Sequence, residues 1–213
     1  FFFACLNTMA SAEPLTWRPK KIGLYDPEYE RDACGVGFIA NMKGIPTRKV
    51  MDDASQAVDR MVHRGASGAD PLTGDGAGIM TALPHPLFQK IAAEKGWDLP
   101  APGKYAVGNF FLNLHDMDIN HRTKQTVEET ATEYGLNVIG WRRVPTDNSH
   151  IGSGAKATEP SIEQAFVKEA DGATQLPGLS FDQKLYVFRK QCEARIPYDD
   201  VFFVCSLSSK TIV

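Results

Sequence analysis

The chain has 213 residues, with 23 Lys and Arg against 26 Asp and Glu, a formal charge of −3. Hydrophobic residues make up 43% and charged residues 23%, close to ordinary globular usage and far from the composition of a disordered chain. The charge gives no footprint for a nucleic-acid backbone or an anionic membrane, and the longest apolar stretches, Phe1–Leu6 and Val201–Cys205, are too short to cross a bilayer.

The first residue is Phe, and Met9-Ala10-Ser11 offers an internal start. No basic region precedes Phe1–Leu6, so a secretory signal is not expected; a cytoplasmic location or an organellar stroma or matrix is. Residues 9–33 carry Pro14, Pro19 and Pro27 without periodicity and read as an extended leader, giving a division into 1–33 and 34–213. At Cys34 the character changes: Cys34-Gly-Val-Gly-Phe-Ile-Ala40 predicts a buried strand that turns near Gly44-Ile-Pro46. Val50, Ala54, Ala57, Val58 and Met61 then recur at helical spacing, with Thr47 as N-cap and a stop around His63-Arg64-Gly65.

The stretch from Gly65 to Gly78 also holds Gly68, Gly74 and Gly76. It fails both phosphate-loop templates, since Ile79 stands where the dinucleotide fingerprint needs a third glycine and no G-x-x-x-x-G-K-[ST] occurs. Its plainer reading is backbone that takes positive φ or passes close to another segment. A strand over Ile79–Leu83, a helix around Leu87–Ala92 closed by Gly96 and a strand over Lys104–Asn113 follow. Next come a helix around Arg122–Tyr134 ending at Gly135 and a strand over Leu136–Val144. Ser161-Ile-Glu-Gln164 has the form of a capping box and predicts a helix through about Lys168. Gln183–Arg195 reads as helix and Val201–Leu207 as strand.

Four cysteines (Cys5, Cys34, Cys192, Cys205) share no C-x-x-C spacing, which argues against a metal array or a disulfide scaffold. Cys34 stands apart, because Gly35 and Gly37 leave bare backbone beside it. If the leader is cut before Cys34, one residue carries both a thiol, with an ordinary pKa of about 8.5, and an α-amine that titrates near 8. The amine can then take the thiol's proton; in the uncut chain the same nitrogen is an amide and cannot. A buried structural thiol is the competing reading of Cys34.

Three motifs bear on that choice. Asp32-Ala-Cys-Gly-Val-Gly-Phe38, Met61-Val-His-Arg-Gly-Ala66 and Thr73-Gly-Asp-Gly-Ala-Gly-Ile79, in this order, resemble the start of the glutamine amidotransferase domain of the glutamate synthase family. Gly23-Leu-Tyr-Asp-Pro27 and the tail Cys205–Val213 also resemble that family, so the resemblance runs from about residue 23 to the end. It implies an α+β fold of the N-terminal-nucleophile hydrolase type, an αββα sandwich, incomplete here because the chain is expected to be truncated. It implies that Cys34 is the nucleophile, attacking the side-chain carboxamide of glutamine to release ammonia and leave a thioester. Arg64 matches the arginine of the family's His-Arg-Gly motif, where it favours the thiolate or simply ties helix end to strand. His63 invites a cysteine-peptidase pairing, but a histidine at a helix end is more simply a cap. Asp75 is expected to bond its own loop backbone and not to be catalytic.

For the complete enzymes the resemblance implies FMN, an iron–sulfur cluster and NADH, NADPH or ferredoxin, none with binding residues expected in this chain. Its partners would be glutamine and the remaining synthase and FMN domains, with no nucleic acid and no membrane. The family's oxyanion donors are an Asn-Gly pair, which does not occur in these residues, so the isolated 213-residue product is expected to be nearly inactive. The alternative is a non-catalytic remnant, or a domain kept for regulation or assembly.

Overall fold

A computed structural model of the chain describes residues 21–24, 35–66, 68–197 and 201–213. Cys5, Cys34 and nearly all of the expected leader lie outside the described residues. The chain forms two compact units, Phe1–Ile79 and Met80–Val213.

In the first unit, helix α1 spans Arg48–Asp59. Thr47 caps it as its pattern predicts: the hydroxyl accepts from Val50 N at 3.4 Å and satisfies one of the amides that a helix start leaves open. Ala54 is buried, and Val50, Ala57, Val58 and Met61 are half-buried along the same stripe. After α1 a single 3₁₀ turn, Val62–Arg64, closes at Gly65, where the Gly65 amide donates to the Val62 carbonyl at 3.1 Å.

The strand predicted from Cys34 does not form over its described part. Residues 35–40 pair with no strand among the described residues, and Val36 and Phe38 are 64% and 76% exposed. The run is apolar enough for a buried strand, but a strand needs a neighbour for its backbone groups and a layer for its side chains, and the described part of this unit supplies neither.

In the second unit the strands are β1 (Thr81–Ala82), β2 (Tyr105–Leu112), β3 (Leu136–Arg143), β4 (Ser161–Glu169), β5 (Phe203–Ser208) and β6 (Thr211–Ile212). The helices are α2 (His85–Lys95), α3 (Met117–Glu133), α4 (Ser153–Ala157) and α5 (Phe181–Arg195). A four-stranded antiparallel sheet runs in the order β3-β4-β2-β5, and β1 pairs with β6 in a separate two-stranded sheet. Side-chain alternation along β2 and β4 divides the core. Ala106, Phe110, Leu112, Ala165 and Val167 face α3 and α5, while Tyr105, Val107 and Phe166 face α2 and Ile212 of β6. The described second unit is therefore helices on one face of an antiparallel sheet, with a helix and a small second sheet against the other.

One predicted helix is overturned. Ser161–Glu169 is strand β4, hydrogen-bonded to β2 on one side and β3 on the other. The local capping-box signal loses because Ala165, Phe166 and Val167 are fully buried on both faces, as only a central strand can manage. The true capping box lies at Ser180 and Gln183, which exchange hydrogen bonds and start α5. Helix α3 begins earlier than its apolar spacing suggests, because the Asp116 carboxylate accepts from both Asp118 N and Ile119 N. The strand expected over Ile79–Leu83 narrows to Thr81–Ala82, and α4 has no forerunner in the sequence reading. Gly96 and Gly135, with φ of 70° and 71°, end α2 and follow α3 as expected.

Candidate functional site

Gly35, the residue after Cys34, packs against Arg64. A Cβ built on Gly35 would lie 3.0 Å from Arg64 Cγ, 3.0 Å from Met61 Sδ and 3.1 Å from Arg64 Cβ. The bare backbone of Gly35 lets Arg64 and Met61 approach this close, whereas the sequence suggested that it leaves room for a bound substrate. The sequence-predicted Arg64 thus lies with its aliphatic stem on the residue that follows the predicted nucleophile. Its position comes from the 3₁₀ turn, in which the Arg64 amide donates to the Met61 carbonyl at 2.8 Å. Cys34 itself lies outside the described residues.

His63 is exposed, and its Nδ1 donates to the carbonyl of Arg60 at 3.2 Å. That bond is the helix-end role, and it spends the nitrogen on backbone.

The glycine-rich stretch is ordered by two aspartates. Asp70 accepts from Leu72 N and from the Thr73 hydroxyl, each at 3.0 Å. Asp75 makes a reciprocal pair with Ala66: its carboxylate accepts from Ala66 N at 2.9 Å, and its own amide donates to the Ala66 carbonyl at 2.9 Å. Between these, Gly68 N donates to the Thr73 carbonyl at 2.9 Å. No glycine from 65 to 78 is among the described residues with positive φ, so that expectation of left-handed backbone is not met. Asp75 does bond backbone, as expected. Sequence reading missed that its target is the residue two places after Arg64; the only available signal was an aspartate set between two glycines.

The two described cysteines are elsewhere. Cys192 is fully buried in the core of the second unit, and burial pushes its thiol up to about 12 despite the Thr130 hydroxyl and the Arg195 guanidinium nearby. Burial also raises Cys205 on β5. Among the described residues no group of three or more His, Cys, Asp or Glu side chains is placed to hold a metal ion. Among them, too, no helix is long and apolar enough to cross a membrane.

A family model described as glutamine amidotransferases class-II matches residues 34–213. Over 224 residues the chain is 42% identical to a glutamate synthase (NADH) of Schizosaccharomyces pombe, an alignment covering 99% of this chain and 11% of that protein. It is 38% identical to a glutamate synthase (NADPH) large chain of Azospirillum brasilense, covering 89% of this chain and 12% of the other. A ferredoxin-dependent glutamate synthase 1 of Arabidopsis thaliana, described as chloroplastic/mitochondrial, is 37% identical, covering 95% and 12%. The chain spans about a tenth of the length of these relatives.

Proposed function

The chain belongs to the class-II glutamine amidotransferase family, and from that membership we propose that it is the glutamine-hydrolysing part of a larger glutamate synthase. Its residues 1–33 form a leader, and residues 34–213 the first portion of the amidotransferase domain. The αββα sandwich of N-terminal-nucleophile hydrolases is the finer fold reading. What supports it is the antiparallel sheet with α3 and α5 on one face and α2 with the β1–β6 pair on the other.

In this reading, cleavage of the 33–34 peptide bond frees the α-amine of Cys34. The amine takes the thiol proton, and the thiolate attacks the side-chain carboxamide carbon of glutamine. The tetrahedral intermediate collapses to a thioester as the leaving nitrogen receives the proton and departs as ammonia. Water, deprotonated by the same amine, then releases glutamate and restores the thiol. Arg64 holds positive charge beside the segment that carries the thiolate and lowers the cost of forming it. The ammonia serves the amination of 2-oxoglutarate elsewhere in the parent chain. There FMN, an iron–sulfur cluster and NADH, NADPH or ferredoxin would belong, and no step above passes through them.

The observation that carries this reading is where the family match opens: its first residue is Cys34. The test is an electrophilic glutamine analogue applied to the full-length protein, with intact mass and peptide mapping. Labelling at Cys34 on a chain that begins there, abolished in Cys34→Ser together with glutamine hydrolysis, is the expected result. Undiminished hydrolysis by Cys34→Ala would overturn it, and a mature chain that keeps its leader would favour a non-catalytic remnant.

A further inference from the structure

We infer that Asp75 is a positioning residue for the glutaminase reaction, acting through Ala66 to hold Arg64 against the nucleophile's neighbour Gly35. The inference rests on the roles given above to Cys34 and Arg64.

Arg64 is the last residue of an isolated 3₁₀ turn, a short element with weak intrinsic stability. Its side chain is exposed, and among the described residues no carboxylate is paired with its guanidinium. Contacts further along the chain therefore bear on the direction in which it leaves Arg64. Two residues later Ala66 is gripped on both its amide and its carbonyl by one residue, Asp75, nine positions along the chain. Asp75 Cβ also lies close to Gly65, 3.8 Å from where a Cβ there would sit. The segment 64–66 is thus held at one end by the turn and at the other by Asp75. With the segment held in this way, the Arg64 stem lies against Gly35.

The carboxylate contributes one of the two bonds, and the backbone of residue 75 the other. Removing the side chain loosens the clamp without abolishing it, so the effect is on precision. A displacement of about 1 Å of a charge beside the nucleophile can cost up to about 100-fold in rate.

The test uses the full-length protein and three variants: Asp75→Ala, Asp75→Asn and Arg64→Ala. The readouts are kcat and KM for glutamine hydrolysis, the pH dependence of Cys34 alkylation by iodoacetamide, and the melting temperature. Asp75→Ala is expected to lower kcat about tenfold with KM little changed, and to move the alkylation midpoint up in pH, as Arg64→Ala does. Asp75→Asn keeps an oxygen for the Ala66 amide and is expected to restore most of the rate and the original midpoint. If Arg64→Ala shifts the alkylation midpoint and Asp75→Ala does not, the positioning role of Asp75 is wrong while that of Arg64 stands. If Arg64→Ala itself leaves the midpoint unmoved, both roles fail. Equal loss in Asp75→Ala and Asp75→Asn, in step with a lower melting temperature, would mean that Asp75 is only a structural support.

Discussion

Gly35 and Arg64 lie so close that a Cβ in place of a Gly35 α-hydrogen would press on the arginine stem. A methyl there would sit 3.0 Å from both Arg64 Cγ and Met61 Sδ, tighter than carbon–carbon and carbon–sulfur contacts tolerate. Both neighbours are side chains near the surface, so they can yield by a few tenths of an ångström without unfolding the unit. Gly35→Ala is therefore expected to cut glutamine hydrolysis by the full-length protein about tenfold while leaving its melting temperature within a degree or so. Steady-state kinetics beside a thermal melt checks this; full activity in Gly35→Ala would show that the contact does not matter to the chemistry.

Gly140 presents the opposite case, a glycine whose neighbour cannot move. A Cβ on it would lie 2.4 Å from Cε2 and Cζ2 of Trp97, whose ring packs at 5.3 Å on Phe166 in the core facing α2. Gly140 also sits at the irregularity where β3 slips register against β4. Gly140→Ala is expected to destabilise the folded chain by about 1–3 kcal/mol, the range for forced overpacking. In a double-mutant cycle read by urea denaturation, Trp97→Ala should cost less in the Gly140→Ala background than alone, because the clash is then relieved. Strict additivity would rule out the clash as the cause.

These two glycines mark what the sequence could and could not tell. Thr47, Gly96 and Gly135 were legible because a cap or a left-handed stop is settled within three or four residues. Ser161 and Ser180 carry the same S-x-x-Q pattern, yet only the second begins a helix. What separates them is that 161–169 finds two strand partners distant in the chain, a fact no local window holds. The candidate site divides the same way. Cys34 and Arg64 stood out as motif residues, while the fit of Gly35 under Arg64 and the hold of Asp75 on Ala66 depend on chain folding back across tens of residues in one case and nine in the other.

Acid should loosen one corner of the second unit in a predictable direction. Burial pulls the Asp182 carboxyl upward, but the hydroxyl and amide of Ser209 and the Lys210 ammonium more than reverse this, leaving it below the ordinary aspartate value. A group depressed in the folded state adds stability above its unfolded pKa of about 4 and loses it as pH falls through the folded value. The Asp182–Ser209 contact ties the start of α5 to the turn between β5 and β6. Ser209→Ala should thus be less stable than the parent at pH 7, by about 1 kcal/mol once a hydrogen bond to a charged group is discounted for the solvent around a partly exposed Asp182, and the gap should narrow near pH 3. A gap that stays constant or widens on acidification would contradict the assignment.

Cys192 has the thiol chemistry least suited to reaction. It is fully buried among Phe188, Ile196 and their neighbours in the core against α3, and burial dominates its environment, lifting it to about 12. At pH 8 such a thiol is ionised to about one part in ten thousand, and the reagent has no path to it while the core is closed. In the folded protein iodoacetamide is expected to leave Cys192 unmodified over hours, with labelling at the ordinary rate once denaturant opens the core; peptide mass mapping distinguishes the two. Cys205, half-buried on β5 and also raised, should react slowly. If Cys192 alkylates as fast in the folded as in the unfolded chain, this packing is wrong. If it stays protected, native-state alkylation at neutral pH reports on Cys34 without interference from the core thiol, which is the condition that the pH profiles of the Arg64 and Asp75 variants need.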